Sequence, residues 1–156
     1  MKDKAKQKTA KNVNFAFWDT SAIVPLCCQQ ALSQQIRQAA RRYPGQAVWW
    51  GTSVEAVSSL NRLVREGYLS SGELRQALQK LDYLRRKWDE IQPTLQVRTT
   101  AERLLGAHEL RAADALQLAA ALIWCRNFSR QRTFICADNR LAEAAEAEGF
   151  TLVRPL

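Results

Sequence analysis

Four acidic residues stand at positions where an acid needs a reason. Asp19 directly follows the apolar and aromatic run "VNFAFW", and Asp138 follows "TFICA" in the same manner. Both runs are short and apolar, the pattern of a strand buried on both faces. Each acid is therefore expected at the carboxyl end of a strand, the edge of an open parallel sheet where ligands bind. Asp114 interrupts "AADALQLAAALI", a helix with few polar positions, and Glu55 lies one turn into the helix that follows the apolar "AVWW". The chemistry open to this chain is narrow. With one histidine, His108, and four cysteines (Cys27, Cys28, Cys125 and Cys136) that form no CxxC pair, zinc shells of Cys and His are excluded. Any metal must be held by oxygen, which suits hard cations.

Each acid also has a purely structural reading. Aspartate is a favoured helix N-cap, which would account for Asp19 and Asp138 singly. "TSVE" matches a capping box with Thr52 as N-cap and Glu55 reaching back, and "SSGE" at 70–73 has the same form. Asp114 resists such an account, because aspartate is a poor interior helix former and a buried carboxylate needs a partner. It either pairs with Arg111, three residues back, or faces a polar cleft, and the cleft is the better reading.

The elements that position these acids alternate in type. After "VNFAFW", the segments "SAIVPL" and "ALSQQIRQAARRY" read as helical, broken around Pro25 and the pair Gln29 and Gln30, and "YPGQ" as a turn before the strand "AVWW". "TSVEAVSSLNRLVREG" spaces Val54, Val57, Leu60 and Val64 as a helix ending at Gly67. "SSGELRQALQKLDYLRRKWDEI" places Leu74, Leu78, Leu81, Leu84, Trp88 and Ile91 on one stripe, predicting a long amphipathic helix that stops near Pro93. These two form a helical hairpin. "TLQV" reads as a brief strand, "AERLLGAHEL" as a short helix, and "RAADALQLAAALIWCRN" as a helix apolar nearly all round. "TFICA", "DNRLAEAAEAEGF" and "TLVRPL" close the chain as strand, helix and strand. Alternation of this kind predicts an α/β fold: a mostly parallel central sheet in three layers, with helices on both faces.

Length and composition set the bounds. A chain of 156 residues fits one domain with a single core, and 47% hydrophobic with 24% charged residues is ordinary for a soluble globular protein. No apolar stretch is long enough to span a bilayer, and "MKDKAKQKTAKN" has no apolar segment after its lysines, so a cytoplasmic protein with reduced, packed cysteines is expected. Residues 1–12 read as a basic flexible tail, with five lysines against one aspartate, and residues 13–156 as the folded domain. That body holds 16 arginines and two lysines within a chain of net charge +8. Arginine's planar fork suits phosphates and stacked bases, so the charge permits a nucleic-acid partner without requiring one.

Taken together, "FWDTSAIVPL", "SVEAVSSL", "LRAADALQLAAAL" and "TFICADNRLAEAAEAEGF" resemble the successive motifs of the PIN-domain ribonucleases, most closely the VapC-like toxins of toxin–antitoxin pairs. The resemblance runs from about Val13 to the end of the chain, and "DTSA" and "LRAADALQLA" are its most specific parts. It implies a PIN-like fold and metal-dependent endoribonuclease activity on RNA. It also implies that Asp19, Glu55, Asp114 and Asp138 hold Mg²⁺ or Mn²⁺, with Thr20 or Ser21 supplying a hydroxyl beside the metal. A homodimer, silenced by an antitoxin protein, is the expected assembly. Two departures are plain: Asn139 and Arg140 follow the fourth acid where many relatives carry a further acid, and the lysine-rich tail is foreign to the compact toxins.

Competing readings are weaker. A haloacid-type phosphatase would want an acid where this chain has Ser21, and a receiver domain a lysine where "CADNRL" offers arginine. The rival from another class is a non-catalytic PIN-like module that binds RNA or a protein partner.

Overall fold

The computed structural model describes residues 14–155; the lysine-rich segment 1–12 lies outside the described residues. Short apolar runs form the strands β1 (Phe15–Trp18), β2 (Gly45–Trp49), β3 (Asp89–Ile91), β4 (Thr133–Ile135) and β5 (Thr151–Val153). They make one sheet in the order β3-β2-β1-β4-β5, and every pairing in it is parallel. The α/β class and three-layer arrangement expected from the alternation are those observed. Among the described residues no helix is long and apolar enough to cross a membrane.

The period of two along the strands builds two cores. Ala16, Trp18, Val48 and Ile135 face the helices α1 (Thr20–Cys27), α2 (Ser33–Arg42), α3 (Thr52–Arg65) and α4 (Ser71–Arg85). Phe17, Ala47, Trp49 and Phe134 face α5 (Leu95–Ala107), α6 (Ala112–Trp124) and α7 (Asn139–Ala147). Trp18, Phe17 and Phe134 are wholly buried, and Phe17 stacks on Phe134 at 5.3 Å between ring centres. Side chains of this size contribute roughly 1.5–3 kcal/mol each when taken out of water. All four cysteines are free and buried, as their spacing predicts.

Three local expectations are corrected. The stripe through Trp88 and Ile91 does not continue α4, which ends at Arg85; residues 89–91 are instead the edge strand β3. Trp88 packs in the core of α1 to α4 and Ile91 in the opposite core, a two-sided placement that a strand gives and a helical stripe does not. The Trp88 indole also donates to Gln46 Oε1 at 2.8 Å, fastening this segment to β2. "TLQV" is not a strand. Thr94 caps α5 by accepting from the Val97 amide at 3.3 Å, so that helix begins well before "AERLLGAHEL". Pro25 lies within α1, and the helical break comes after Cys27. The capping box at Ser70 and Glu73 forms as "SSGE" predicts, and α3 packs on α4 as a hairpin, with Arg85 Nη1 donating to Ser53 Oγ at 2.8 Å.

The strand order sets the place of the site. The chain builds β1, β2 and β3 outward on one side and then returns to lay β4 and β5 on the other. A crevice therefore opens beyond the carboxyl ends of β1 and β4, where the order reverses.

Candidate functional site

Asp19 leaves β1 at this crevice as the N-cap of α1. Its Oδ2 accepts from the Ser21 amide at 3.0 Å and from the Ser21 hydroxyl at 2.5 Å. The same hydroxyl accepts from the Ala137 amide at 2.9 Å, so Ser21 clamps the segment after β4 onto Asp19. Asp19 is only 4% exposed. Burial pushes its carboxyl above the usual range, the Ser21 hydrogen bonds pull it down, and the charge of Asp114 adds to the rise.

Glu55 is not the partner of a Thr52 cap. The N-cap of α3 is Gly51, and the buried Thr52 hydroxyl accepts instead from Gln117 Nε2 at 3.0 Å. Freed from capping, Glu55 turns to the crevice, where Oε2 accepts from Thr20 Oγ1 at 3.1 Å and Oε1 from Gln117 Nε2 at 3.4 Å. Burial, with the charges of Asp19 and Asp114, raises its pKa to about 7 against the easing effect of the Thr20 and Gln117 hydrogen bonds.

Asp114 sits half-buried in the first turn of α6. Its pKa is raised by burial and by Asp138, and lowered by a backbone hydrogen bond at Arg111 and by the charges of Arg111 and Arg140. No ion pair joins it to Arg111 among the described residues, and it faces the crevice. Asp138 caps α7, its Oδ1 accepting from the Leu141 amide at 2.9 Å, and stands exposed at the rim. Capping does not exhaust either aspartate, because a carboxylate has two oxygens and about four acceptor positions.

These acids come from four separate places in the chain and line one open cavity of about 760 Å³. Thr20, Ser21 and Asn139 line it too, together with Arg62, Arg111 and Arg140. The electrostatic couplings run as a chain from Glu55 to Asp19 to Asp114 to Asp138, each acid opposing the ionisation of a neighbour. Among the described residues no three carboxylates, thiols or imidazoles converge into a ready-made metal shell. The donor set still fits one kind of ion. Mg²⁺ is ordinarily bound by one or two carboxylates and keeps several waters, completing its shell from a phosphate rather than from an all-protein cage. A roomy cavity whose metal-ligating side chains are all oxygen donors, with mutually repelling acids, suits that habit.

Three residues here escape the sequence reading. Gln117 is wholly buried on α6, and its Nε2 donates to Thr20 Oγ1 at 2.8 Å as well as to Thr52, while its Oε1 has no partner among the described residues. The signal was the same one that marks Asp114, a polar residue in a nearly apolar helix, one turn further on. Arg62 shares a helical face with Glu55, being seven residues later on α3. The Cys136 thiol donates to the Asp138 carbonyl at 3.3 Å and lies 3.8 Å from Asp19 Oδ2, and burial pushes it far above the usual thiol range.

No family model matches the chain, and no curated protein sequence matches it. Solved structures do. A chain of the "Toxin-antitoxin complex from Klebsiella pneumoniae" superimposes with a TM-score of 0.63 at 16% identity, over 90% of this chain and 98% of that one. PAE2754 from Pyrobaculum aerophilum superimposes with a TM-score of 0.57 at 19% identity, over 90% of each chain. At these identities the likeness is one of fold, shared along nearly the whole chain.

Proposed function

We propose that this chain is a metal-dependent endoribonuclease of the PIN type, the toxin of a toxin–antitoxin pair. The observation that carries this reading is the gathering of Asp19, Glu55, Asp114 and Asp138 into one cavity rimmed by Arg62, Arg111 and Arg140. Acids alone would repel a phosphodiester, and arginines alone would bind it without cutting. Side by side they fit a phosphate and a cation at once.

Asp19 and Asp114 would hold Mg²⁺ or Mn²⁺, Asp19 from its buried place after β1, with Asp138 at the exposed rim and Glu55 lining the same cavity. A bound divalent cation supplies charge stabilisation at the phosphate and eases deprotonation of a water. Thr20 and Gln117 fix the direction of the Glu55 carboxylate. Burial and its acidic neighbours hold the Glu55 carboxyl up at about 7 in the metal-free cavity, and a carboxylate so placed is suited to accept the proton of a water that attacks phosphorus in line, while the opposite P–O bond breaks and the leaving oxygen takes a proton from solvent. Arg62, Arg111 and Arg140 would hold the non-bridging oxygens, the task for which the guanidinium fork is shaped. The fold shared with a chain from a toxin–antitoxin complex supports the toxin role and, with it, an antitoxin partner; a homodimeric assembly is proposed on the motif resemblance alone.

The test is incubation of the purified protein with a mixed RNA pool, with and without Mg²⁺ or Mn²⁺. Cleavage that stops on chelation and returns with metal is expected. Equal cleavage after chelation contradicts the mechanism, and binding without any cleavage favours the non-catalytic module, for which Asn139 in place of a further acid is the argument.

A further inference from the structure

The net charge is not concentrated around the cavity. Residues 126–132, "RNFSRQR", carry a net +3 and residues 1–12 a net +4, against +8 for the whole chain. The sheet register shows where the first of these lies. Phe15 is level with Gly45, and Phe17 with Phe134, so the segments that enter β1, β2 and β4 meet at the amino-terminal edge, opposite the cavity. The Asn14 side chain donates to the Arg42 carbonyl at 3.3 Å, and its own carbonyl accepts from the Gly45 amide at 3.0 Å, which joins two of them directly.

Arg41, Arg42, Arg126, Arg130 and Arg132 are all exposed here, and none belongs to an ion pair among the described residues. Arg42 lies over the Tyr43 ring at 5.4 Å and Arg132 over Trp124 at 5.6 Å, while Phe128 is 79% exposed among them. The loop holds an expensive shape. Arg126, Asn127 and Gln131 have φ of 52°, 62° and 65°, a left-handed region that non-glycine residues avoid. The buried Ser129 anchors the loop by donating to the Glu148 carbonyl, and the Arg132 carbonyl accepts from the Thr151 amide at 2.9 Å. Strain held in place by such anchors fixes how the arginines are presented.

We infer that this amino-terminal edge is a second nucleic-acid surface, which grips the sugar–phosphate backbone of single-stranded RNA without reading its sequence. Arginine rather than lysine on the described body, and an exposed ring between arginines, fit phosphates and stacked bases better than they fit an acidic protein segment. Five residue steps of extended chain lead from Asn14 to Asp19, roughly 17 Å at about 3.3 Å per residue. A short RNA can fill the cavity alone, whereas a long one can engage both places. The binding stands whether or not the cavity cuts RNA; only its effect on turnover rests on the proposed nuclease reading.

The experiment uses the full chain in chelator, titrated with labelled long oligouridylate at several salt concentrations. The variant carries Arg41→Gln, Arg126→Asn and Arg130→Gln, choices that spare the two stacked arginines and keep a residue tolerant of left-handed backbone at 126. Its melting temperature should match wild type. Its binding should weaken about tenfold or more, with a log–log salt slope shallower by about 2, since each single-strand phosphate left without its arginine lowers the slope by about 0.7. With Mg²⁺ restored, KM for long RNA should rise at constant kcat while short RNA is cut as before. An unchanged affinity and slope overturn the inference, and so does loss of polyglutamate binding with RNA binding intact, which would mark an acidic-protein surface. Loss of RNA binding in a protein that cuts neither RNA supports this surface and removes the nuclease reading.

Discussion

Gln117 Nε2 lies 2.8 Å from Thr20 Oγ1, and Thr20 in turn donates to Glu55 Oε2 at 3.1 Å. One buried amide on α6 thereby orders a hydroxyl on α1 and a carboxylate on α3. Three helices from both faces of the sheet meet at this point, and the direction of Glu55 depends on it.

Gln117→Leu keeps most of the volume and removes these donors along with the unpartnered Oε1. Stability should fall by about 1–3 kcal/mol, since the buried Thr52 hydroxyl loses its donor and the loss of the unsatisfied Gln117 acceptor offsets only part of that. RNA cleavage, or metal affinity measured by calorimetric titration, should fall roughly 10–100-fold, as for other groups that orient a metal ligand. Full activity in this variant would leave Gln117 a packing residue.

Ser21→Ala removes the hydroxyl that joins Asp19 to the Ala137 amide. Chemical denaturation should show a loss of about 1–2 kcal/mol, because a part-buried amide loses its acceptor. The Asp19 carboxyl, already raised by burial, should rise further, so the variant's loss of metal affinity should grow as pH falls across the range in which the protein stays folded. A loss that does not change with pH would break the link between Ser21 and the ionisation of Asp19.

Glu55 titrates near 7 when folded without metal, against an ordinary value of 4.5. Its folded state holds the proton more tightly than the unfolded chain, so the stability it contributes is complete below about 4.5 and is lost as pH rises through about 7. Because the group is partly open to solvent, the loss is discounted to roughly 1–2 kcal/mol. Melting of metal-free wild type should therefore decline between pH 5 and 8 more steeply than that of Glu55→Gln. Parallel curves would show that Glu55 is not perturbed.

Much of this was legible because it rests on local chemistry. The strands before Asp19 and Asp138 announce themselves by short apolar runs, and Asp114 by its misfit with a nearly apolar helix. Trp88 and Ile91 misled, because residues three apart satisfy a helical stripe and nothing local says that β2 has an open edge for them to join. Thr52 misled for a related reason: "TSVE" has a capping box's letters, yet a buried glutamine 65 residues away claims the hydroxyl. Arg62 and Gln117 needed the tertiary fold, since only packing shows which helix faces turn to the crevice.

Whether Asp114 belongs to a cation-holding cluster is decided by one substitution. Asp114→Asn removes a charge that Asp138 opposes, while Arg111 and Arg140 remain exposed to water and need no carboxylate to satisfy them. Melting of the metal-free variant should match or exceed that of metal-free wild type. Mg²⁺ should then raise the variant's melting temperature less than the wild type's, because stabilisation by a ligand follows its affinity for the folded state. Cleavage should fall by orders of magnitude with RNA binding intact. A clear drop in metal-free stability, with the full upward shift on adding Mg²⁺, would make Asp114 a structural partner of Arg111 and contradict the account.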